Sequence, residues 1–224
     1  MSLCANCHAP APPPFRPPPA ELAPDLDMRP GEPTRSTMGK WVQICRSCAA
    51  AGDDLAQLPP SAAATVASPA YQALAGLPPL LRGITQAAMI ENEAGNPIAA
   101  GALLIRLAWL ADDANERDDA TRYRRQTAAL WNGTDDPQIR IRLIDILRRA
   151  GDFEQAADIL HGFNAGNMDD MSRQILRFQH GRIEASDTDR YLLSSALRPP
   201  ARTPHVSHKQ AAAKPGLFSW IFRR

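Results

Sequence analysis

The sequence predicts a mainly α-helical fold, built from repeated helical hairpins behind a small metal-binding region at the N-terminus. Three observations predict it: two amphipathic stretches meet across 139–160, part of the chain resembles itself 36 residues away, and four cysteines fall in two Cys-x-x-Cys pairs.

The hairpin is clearest in IRIRLIDILRRAGDFEQAADIL. Apolar residues at 139, 143, 146, 147 and 150 follow the spacing of one face of an α-helix. Gly151 ends that helix, and Asp152 is placed to cap the next, with Gln155 in the capping-box position. Phe153, Ala156, Ala157 and Leu160 form the stripe of the second helix. Neither face can be buried by one hairpin alone, so neighbouring hairpins must stack. A shift of 36 residues lays Ile141-Arg142-Leu143 on Ile105-Arg106-Leu107, and Ala150-Gly151 on Ala114-Asn115. That period, with a small-residue turn in mid-unit, resembles tetratricopeptide (TPR) repeats. The fold class expected is therefore mainly α, TPR-like helical-hairpin repeats with a small N-terminal zinc-ribbon-like region.

In chain order, three regions are expected. Residues 1–58 form a Pro-rich, zinc-ribbon-like head with the two cysteine pairs, 59–197 the α-helical TPR-like domain, and 198–224 a disordered basic linker with an apolar tip. Ten of the 21 prolines lie between Pro10 and Pro33, so 9–36 should run extended with turns, as a spacer between the cysteine pairs. Residues 40–44 read as a short strand leading into the second pair, and the Ala-rich 49–58 as a helix stopped by Pro59-Pro60. Helices are expected at 61–75 and 79–93, then at 97–111, 115–131, 136–150 and 152–162. A degenerate third unit would use 168–181, with Met168, Met171, Ile175 and Phe178 on one face and Asn167 as cap, followed by 185–197.

Net charge is +1, which gives no global field for nucleic acid or an acidic partner. No run of 18 apolar residues exists, so no transmembrane helix is expected. The first ten residues have neither the charged nor the apolar region of a leader, so a cytoplasmic location is expected. There, free thiols serve more often as metal ligands than as disulfides.

Cys4, Cys7, Cys45 and Cys48 are the candidate metal ligands. A two-residue gap lets both thiolates of a pair turn toward one ion, and two pairs complete a tetrahedral shell suited to structural Zn(II). Iron fits the same four-thiolate shell. Binding energy at such a site is folding energy for a segment too Pro-rich to build its own core. The Gly usual after each pair is replaced by His8 and Ala49. Cys4-x-x-Cys7-His8 also matches the c-type haem attachment motif, but that reading leaves Cys45 and Cys48 without a role. A thiol redox protein is a further alternative.

The order of Cys4/Cys7, then 41–48, then Ile105-Arg106-Leu107-Ala108-Trp109-Leu110 resembles a bacterial family catalogued as domain of unknown function 2225, over about residues 4–165. The chain departs from that pattern at the two missing glycines and at Ala111-Asp112. The resemblance implies a zinc-ribbon-like head on a TPR-like body and brings no catalytic residues.

Among other candidates, Arg106 lies in the nearly all-apolar LLIRLAWL and needs an acidic partner, Asp145 or one of 112–119. Trp109, Trp131 and Tyr123 are expected to pack between helices. Asp112, Asp113, Glu116, Asp118 and Asp119 face Arg122, Arg124 and Arg125 and are expected to form a solvated, self-pairing surface. The histidines at 8, 161, 180, 205 and 208 show no metal-site or triad spacing, and no phosphate-binding Gly-rich loop or G-x-S-x-G is present, so no enzyme is expected. PPPFRPPP at 12–19 could be read by a domain that binds polyproline II helices. Residues 198–224 carry six Arg or Lys and no acid, and end in Leu217, Phe218, Trp220, Ile221 and Phe222 before Arg223-Arg224. This tip suits weak membrane or protein docking, or return to a groove of its own repeats. The reading that results is a non-catalytic adaptor with structural zinc, whose helical repeats meet a protein partner and no small-molecule substrate. The alternative is a nucleic-acid-binding zinc ribbon, for which only Lys40 and Arg46 offer phosphate contacts near the cysteines.

Overall fold

The computed structural model describes residues 2–163 and 168–197. Four two-residue strands come first in two antiparallel hairpins: β1 (Ser2–Leu3) with β2 (Pro10–Ala11), and β3 (Gln43–Ile44) with β4 (Ala51–Gly52). Each hairpin encloses one cysteine pair. The expected strand over 40–44 is thus only its last two residues, because Lys40 ends a 3-10 helix, Arg35–Lys40. The expected helix over 49–58 does not form. Its first residues complete the second hairpin, and only Leu55–Gln57 turn, as a 3-10 helix capped by Asp54. Alanine's helix propensity is a weak preference, and pairing with β3 overrides it.

Helices follow: α1 (Ala62–Ala67), α2 (Pro69–Ala73), α3 (Pro79–Glu93), α4 (Pro97–Asp113), α5 (Arg117–Trp131), α6 (Pro137–Arg149), α7 (Phe153–His161), α8 (Asp170–Glu184) and α9 (Leu193–Ala196). The expected helix at 61–75 breaks at Ser68-Pro69, since Pro69 cannot continue α1; the Ser68 hydroxyl caps α2 instead. The expected helix at 185–197 is reduced to α9, because α8 runs on to Glu184 and the carbonyls of Asp187, Asp189 and Tyr191 accept instead from Arg148 and Leu26 N. Asp169 caps α8 by accepting from Ser172 N at 2.8 Å. The expected cap, Asn167, lies outside the described residues.

Four helices end in the same way. Ala94, Ala114, Ala150 and Ala185 close α3, α4, α6 and α8, each followed by a residue with positive φ: Gly95 (78°), Asn115 (60°), Gly151 (80°) and Ser186 (50°). The next amide reaches back to the helix, as in Asp152 N to Leu147 O at 3.0 Å and Glu116 N to Ala111 O at 2.8 Å. This is the Schellman termination, which satisfies the last carbonyls and turns the chain sharply. Consecutive helices consequently pack as neighbours, α3 on α4, α4 on α5, α5 on α6 and α6 on α7, with α8 against both α6 and α7.

The main core runs through Ile105, Trp109, Trp131, Ile144, Ile146 and Ile175. Trp109 and Trp131 pack there as expected, with Tyr123 partly buried beside them. The Pro-rich segment is more than a spacer. Leu26 and Met38, each 3% exposed, belong to this same core. Residues 24–27 also run alongside the C-terminal stretch, with Leu26 N donating to Tyr191 O at 3.0 Å and Leu193 N to Pro24 O at 2.8 Å. The segment is a strap across the α4 and α6 side of the array. Among the described residues, no helix is long and apolar enough to cross a membrane.

Candidate metal centre

Each cysteine pair sits in a tight turn with its own hydrogen bonds, and the two turns match. Cys4 N donates to Ala9 O at 2.9 Å and His8 N to Cys4 O at 2.8 Å; Cys45 N donates to Ala50 O at 2.8 Å and Ala49 N to Cys45 O at 2.9 Å. His8 and Ala49, where glycine is usual, take left-handed φ values of 57° and 61°. The knuckle shape is therefore kept without its glycines, at a backbone cost that glycine would not incur.

The four Sγ atoms lie within 4.8 Å of one another and could hold a metal ion. Cys4 Sγ is 3.8 Å from Cys48 Sγ, and Cys7 Sγ is 3.7 Å from Cys45 Sγ. A tetrahedral shell with metal–sulfur bonds of about 2.3 Å has edges of about 3.8 Å, so the two separations suit such an ion. His8 does not join the cluster. The four thiols differ in acidity. The Ala9 amide pulls the Cys7 thiol down, but burial and hydrogen bonding to the other three sulfurs outweigh it and push Cys7 up to about 12. At Cys45 burial acts upward, yet the Cys48 and Ser47 amides and the Cys48 and Cys7 thiols bring it down to about 7.

The surrounding packing ties this centre to the body. Cys4 and Cys45 are buried among Leu55, Val66, Tyr71 and Ile90, which brings α1, α2 and α3 against the knuckles. The Tyr71 hydroxyl donates to Ala49 O at 2.8 Å and so pins the second turn. Arg106 meets neither Asp145 nor the acids of 112–119. Its guanidinium makes paired bonds of 2.8 and 2.7 Å to Asp53, one residue beyond β4, and lies 5.1 Å from the Trp41 ring centroid. Asp145 is committed elsewhere, accepting from Arg148 and Gln179, each at 2.8 Å, in the interior between α6 and α8.

The acidic run and its arginines are in part the solvated surface expected of them, with Asp113, Glu116, Asp118, Arg122 and Arg125 exposed, but Asp112 and Arg124 are drawn inward. Arg124 is buried and holds both oxygens of Asp112, at 3.1 and 2.6 Å, while Arg149 reaches the same carboxylate at 2.7 Å. Burial acts to raise Asp112, but these two guanidiniums hold its carboxyl below the usual range. Asp113 pairs with Arg29 and Arg35 of the strap. Arg125 turns to Asp152, at 2.8 Å, so the Asp152 side chain makes no capping bond to α7. Only Arg122–Asp119, at 2.8 Å, is the exposed i,i+3 pair anticipated. At the centre is Asp27, wholly buried, which accepts from Trp109 Nε1 at 2.9 Å and Arg149 Nη1 at 3.0 Å.

Between α5, α6 and α7 lies a groove of about 560 Å³ floored by Ala128, Leu143, Leu147 and Ile159 and edged by Arg125 and Asp158. It continues past Asp135 at one end, and past Asp118 at the other. The five apolar residues of the tip, 217–222, lie outside the described residues.

Compared with protein-family models, with curated proteins and with solved structures, the chain matches none.

Proposed function

We propose that the protein is a non-catalytic adaptor, in which a structural zinc ion holds the N-terminal head together and the helical array docks a protein partner. The clustering of four sulfurs from two matched turns carries the metal half of this reading. Zinc is preferred to iron because a closed four-thiolate shell packed into a small core needs no redox chemistry to account for it. The ion joins the two ends of the strap, since the cysteine pairs flank residues 8–44.

The partner half rests on the array. The TPR-like repeats and the resemblance to domain of unknown function 2225 lead to the same kind of object. Because the strap covers the side lined by α4 and α6, the partner is assigned to the open α5–α7 groove. Helix-lined grooves of this kind take amphipathic segments.

Elemental analysis of the purified full chain tests the metal, with one zinc expected per chain and none in Cys4→Ser or Cys45→Ser. Iron in place of zinc, or no metal in the unaltered chain, would reject that part. Binding to a purified partner that survives Ala129→Glu, in the groove wall, would reject the docking surface.

A further inference from the structure

We infer that the exposed part of the strap, residues 12–19, is a polyproline II ligand for a partner domain whose groove is lined with aromatic rings and carries an acid for Arg16. This surface is separate from the α5–α7 groove and adds a second point of attachment to the chain.

Conformation is the first reason. A proline holds φ near about −65°, and the residue before a proline is kept out of the helical region. In PPPFRPPP both rules act on Pro12, Pro13, Pro17 and Pro18, and the second acts on Arg16 as well. The stretch 12–20 accordingly forms neither helix nor strand. Both of its ends are tied down, since Pro10–Ala11 pairs with β1 and Glu21 N donates to Glu32 O at 2.8 Å. Between them, Gln43 Nε2 donates to Pro13 O at 2.7 Å and Thr34 Oγ1 to Pro18 O at 2.6 Å. A partner meets the segment already extended, so little ordering entropy opposes binding.

Exposure is the second. Leu26, Arg29 and Met38 of the same strap are buried against the helices, whereas Pro12, Pro13 and 16–20 are exposed. Only Pro14 and Phe15 are half-buried, with Lys40 Nζ 5.9 Å from the Phe15 ring centroid. The exposed rings fill no core. They stand beside the carbonyls of Arg16, Pro17 and Pro19, which accept from no described residue. Apolar rings next to free carbonyls suit a groove of tryptophan and tyrosine, whose faces pack on proline and whose N–H and O–H groups donate.

Charge is the third. Arg16 is exposed and has no hydrogen bond or ion pair among the described residues, and residues 1–20 contain no acid. A guanidinium at one end of Pro17-Pro18-Pro19 gives the segment a direction, because a carboxylate fixed in the partner's groove meets it in one orientation only.

Titration of the full chain into two isotope-labelled probes, an SH3 domain and a WW domain, tests the inference through the probes' chemical shifts. At least one probe is expected to show saturable shifts confined to its aromatic groove. Pro17→Ala with Pro18→Ala should abolish them. Arg16→Glu should weaken binding by at least about ten-fold, and Arg16→Lys by less. Circular dichroism should be the same for all these chains, because every altered residue is exposed. Ala129→Glu should leave the shifts unchanged, so this inference and the α5–α7 docking surface fail separately. No shift in either probe at about 1 mM chain overturns the inference. So do shifts that survive the double alanine change or vanish with Ala129→Glu. A synthetic peptide of residues 11–21 that shifts a probe when the full chain does not would show that the fold withholds the segment, and overturns it as well.

Discussion

Asp27 on the strap and Trp109 on α4 are 82 residues apart, and the indole N–H donates to the carboxylate at 2.9 Å in the interior. The same oxygen takes Arg149 at 3.0 Å and lies 3.8 Å from Arg124. Two buried guanidiniums thus depend on a carboxylate supplied by the Pro-rich segment. Asp27→Ala leaves them under-neutralised and opens a space in the core. The expected cost is about 3–5 kcal/mol, the range found when one partner of a buried ionic network is removed. Urea denaturation of the metal-loaded chain measures it, and a loss under 1 kcal/mol would mean that the strap is not held by this residue.

How much of this was legible beforehand divides by range. The helices of the body and the turns at Ala114-Asn115 and Ala150-Gly151 rest on local periodicity and on residues that tolerate positive φ, and both can be read from neighbours in sequence. The cysteine pairs carry their geometry in their spacing. Asp27, Arg29, Arg124 and Arg149 do not. Their partners lie up to 122 residues away, and nothing in PDLDMRPGEP distinguishes a buried aspartate from a loop aspartate. Arg106 shows the same limit: the need for an acid was legible, whereas Asp53 was chosen by how β4 packs on α3, the neighbour of α4. No helix forms over 49–58 because a count of alanines gives no weight to the second cysteine hairpin, which recruits Ala51 and Gly52.

Stripping the metal with a chelator should unfold the two cysteine turns while leaving the strap and most of the body's helical signal, because the knuckles have little core beyond their own sulfurs and the residues of α1–α3. Trp41 reports on it. Released from Arg106, its indole should become solvated and its fluorescence should shift to the red. Circular dichroism would check the body, where collapse of the whole helical signal on chelation would show that the cysteine turns do not unfold separately.

Ala49→Gly should stabilise the protein. The residue is exposed and its φ of 61° is one that L side chains adopt at a cost of about 1–2 kcal/mol. Glycine's greater freedom in the unfolded chain takes back about 0.5–1 kcal/mol. The net gain expected is about 0.5–1 kcal/mol, read as a higher denaturation midpoint with the metal bound. A loss of stability would mean that the turn needs alanine's Cβ for packing.

Asp25 gives the chain a distinct pH dependence. Its buried carboxyl is pushed up to about 6, first by burial and then by the charge of Asp27, against the opposing charges of Arg190, Arg29 and Arg149. Its Oδ2 has no hydrogen bond, and Arg190 is 3.7 Å away. A carboxyl whose folded value exceeds its unfolded 3.8 favours folding while protonated, so its contribution is full below 3.8 and is lost as pH rises through about 6. Asp25→Asn keeps the neutral form at every pH. The variant should therefore be more stable than the unaltered chain at pH 7, by on the order of 2 kcal/mol, with the difference vanishing toward pH 4. Denaturation midpoints of both chains across this range check it, and a difference independent of pH would remove Asp25 as its source.

Gly101 on α4 is the position where the smallest addition should cost most. A Cβ there would stand 2.2 Å from Trp131 Nε1 and 2.7 Å from its Cδ1, far inside van der Waals contact. The indole cannot yield easily, since Trp131 is wholly buried, donates to Ile98 O at 3.1 Å and carries the Arg142 guanidinium 4.8 Å from its ring centroid. Alanine's better helix propensity would return about 1 kcal/mol. Overpacking of about 1–3 kcal/mol opposes it, and displacing the indole also breaks its hydrogen bond, worth about 1 kcal/mol. Gly101→Ala is expected to lower stability by about 1–3 kcal/mol net. Trp131→Phe in the same background should relieve part of that loss, because the smaller ring vacates the space that Cβ needs. Denaturation of the two single variants and the double variant gives the coupling, and strict additivity would show that the close approach of α4 and α5 is not what makes residue 101 a glycine.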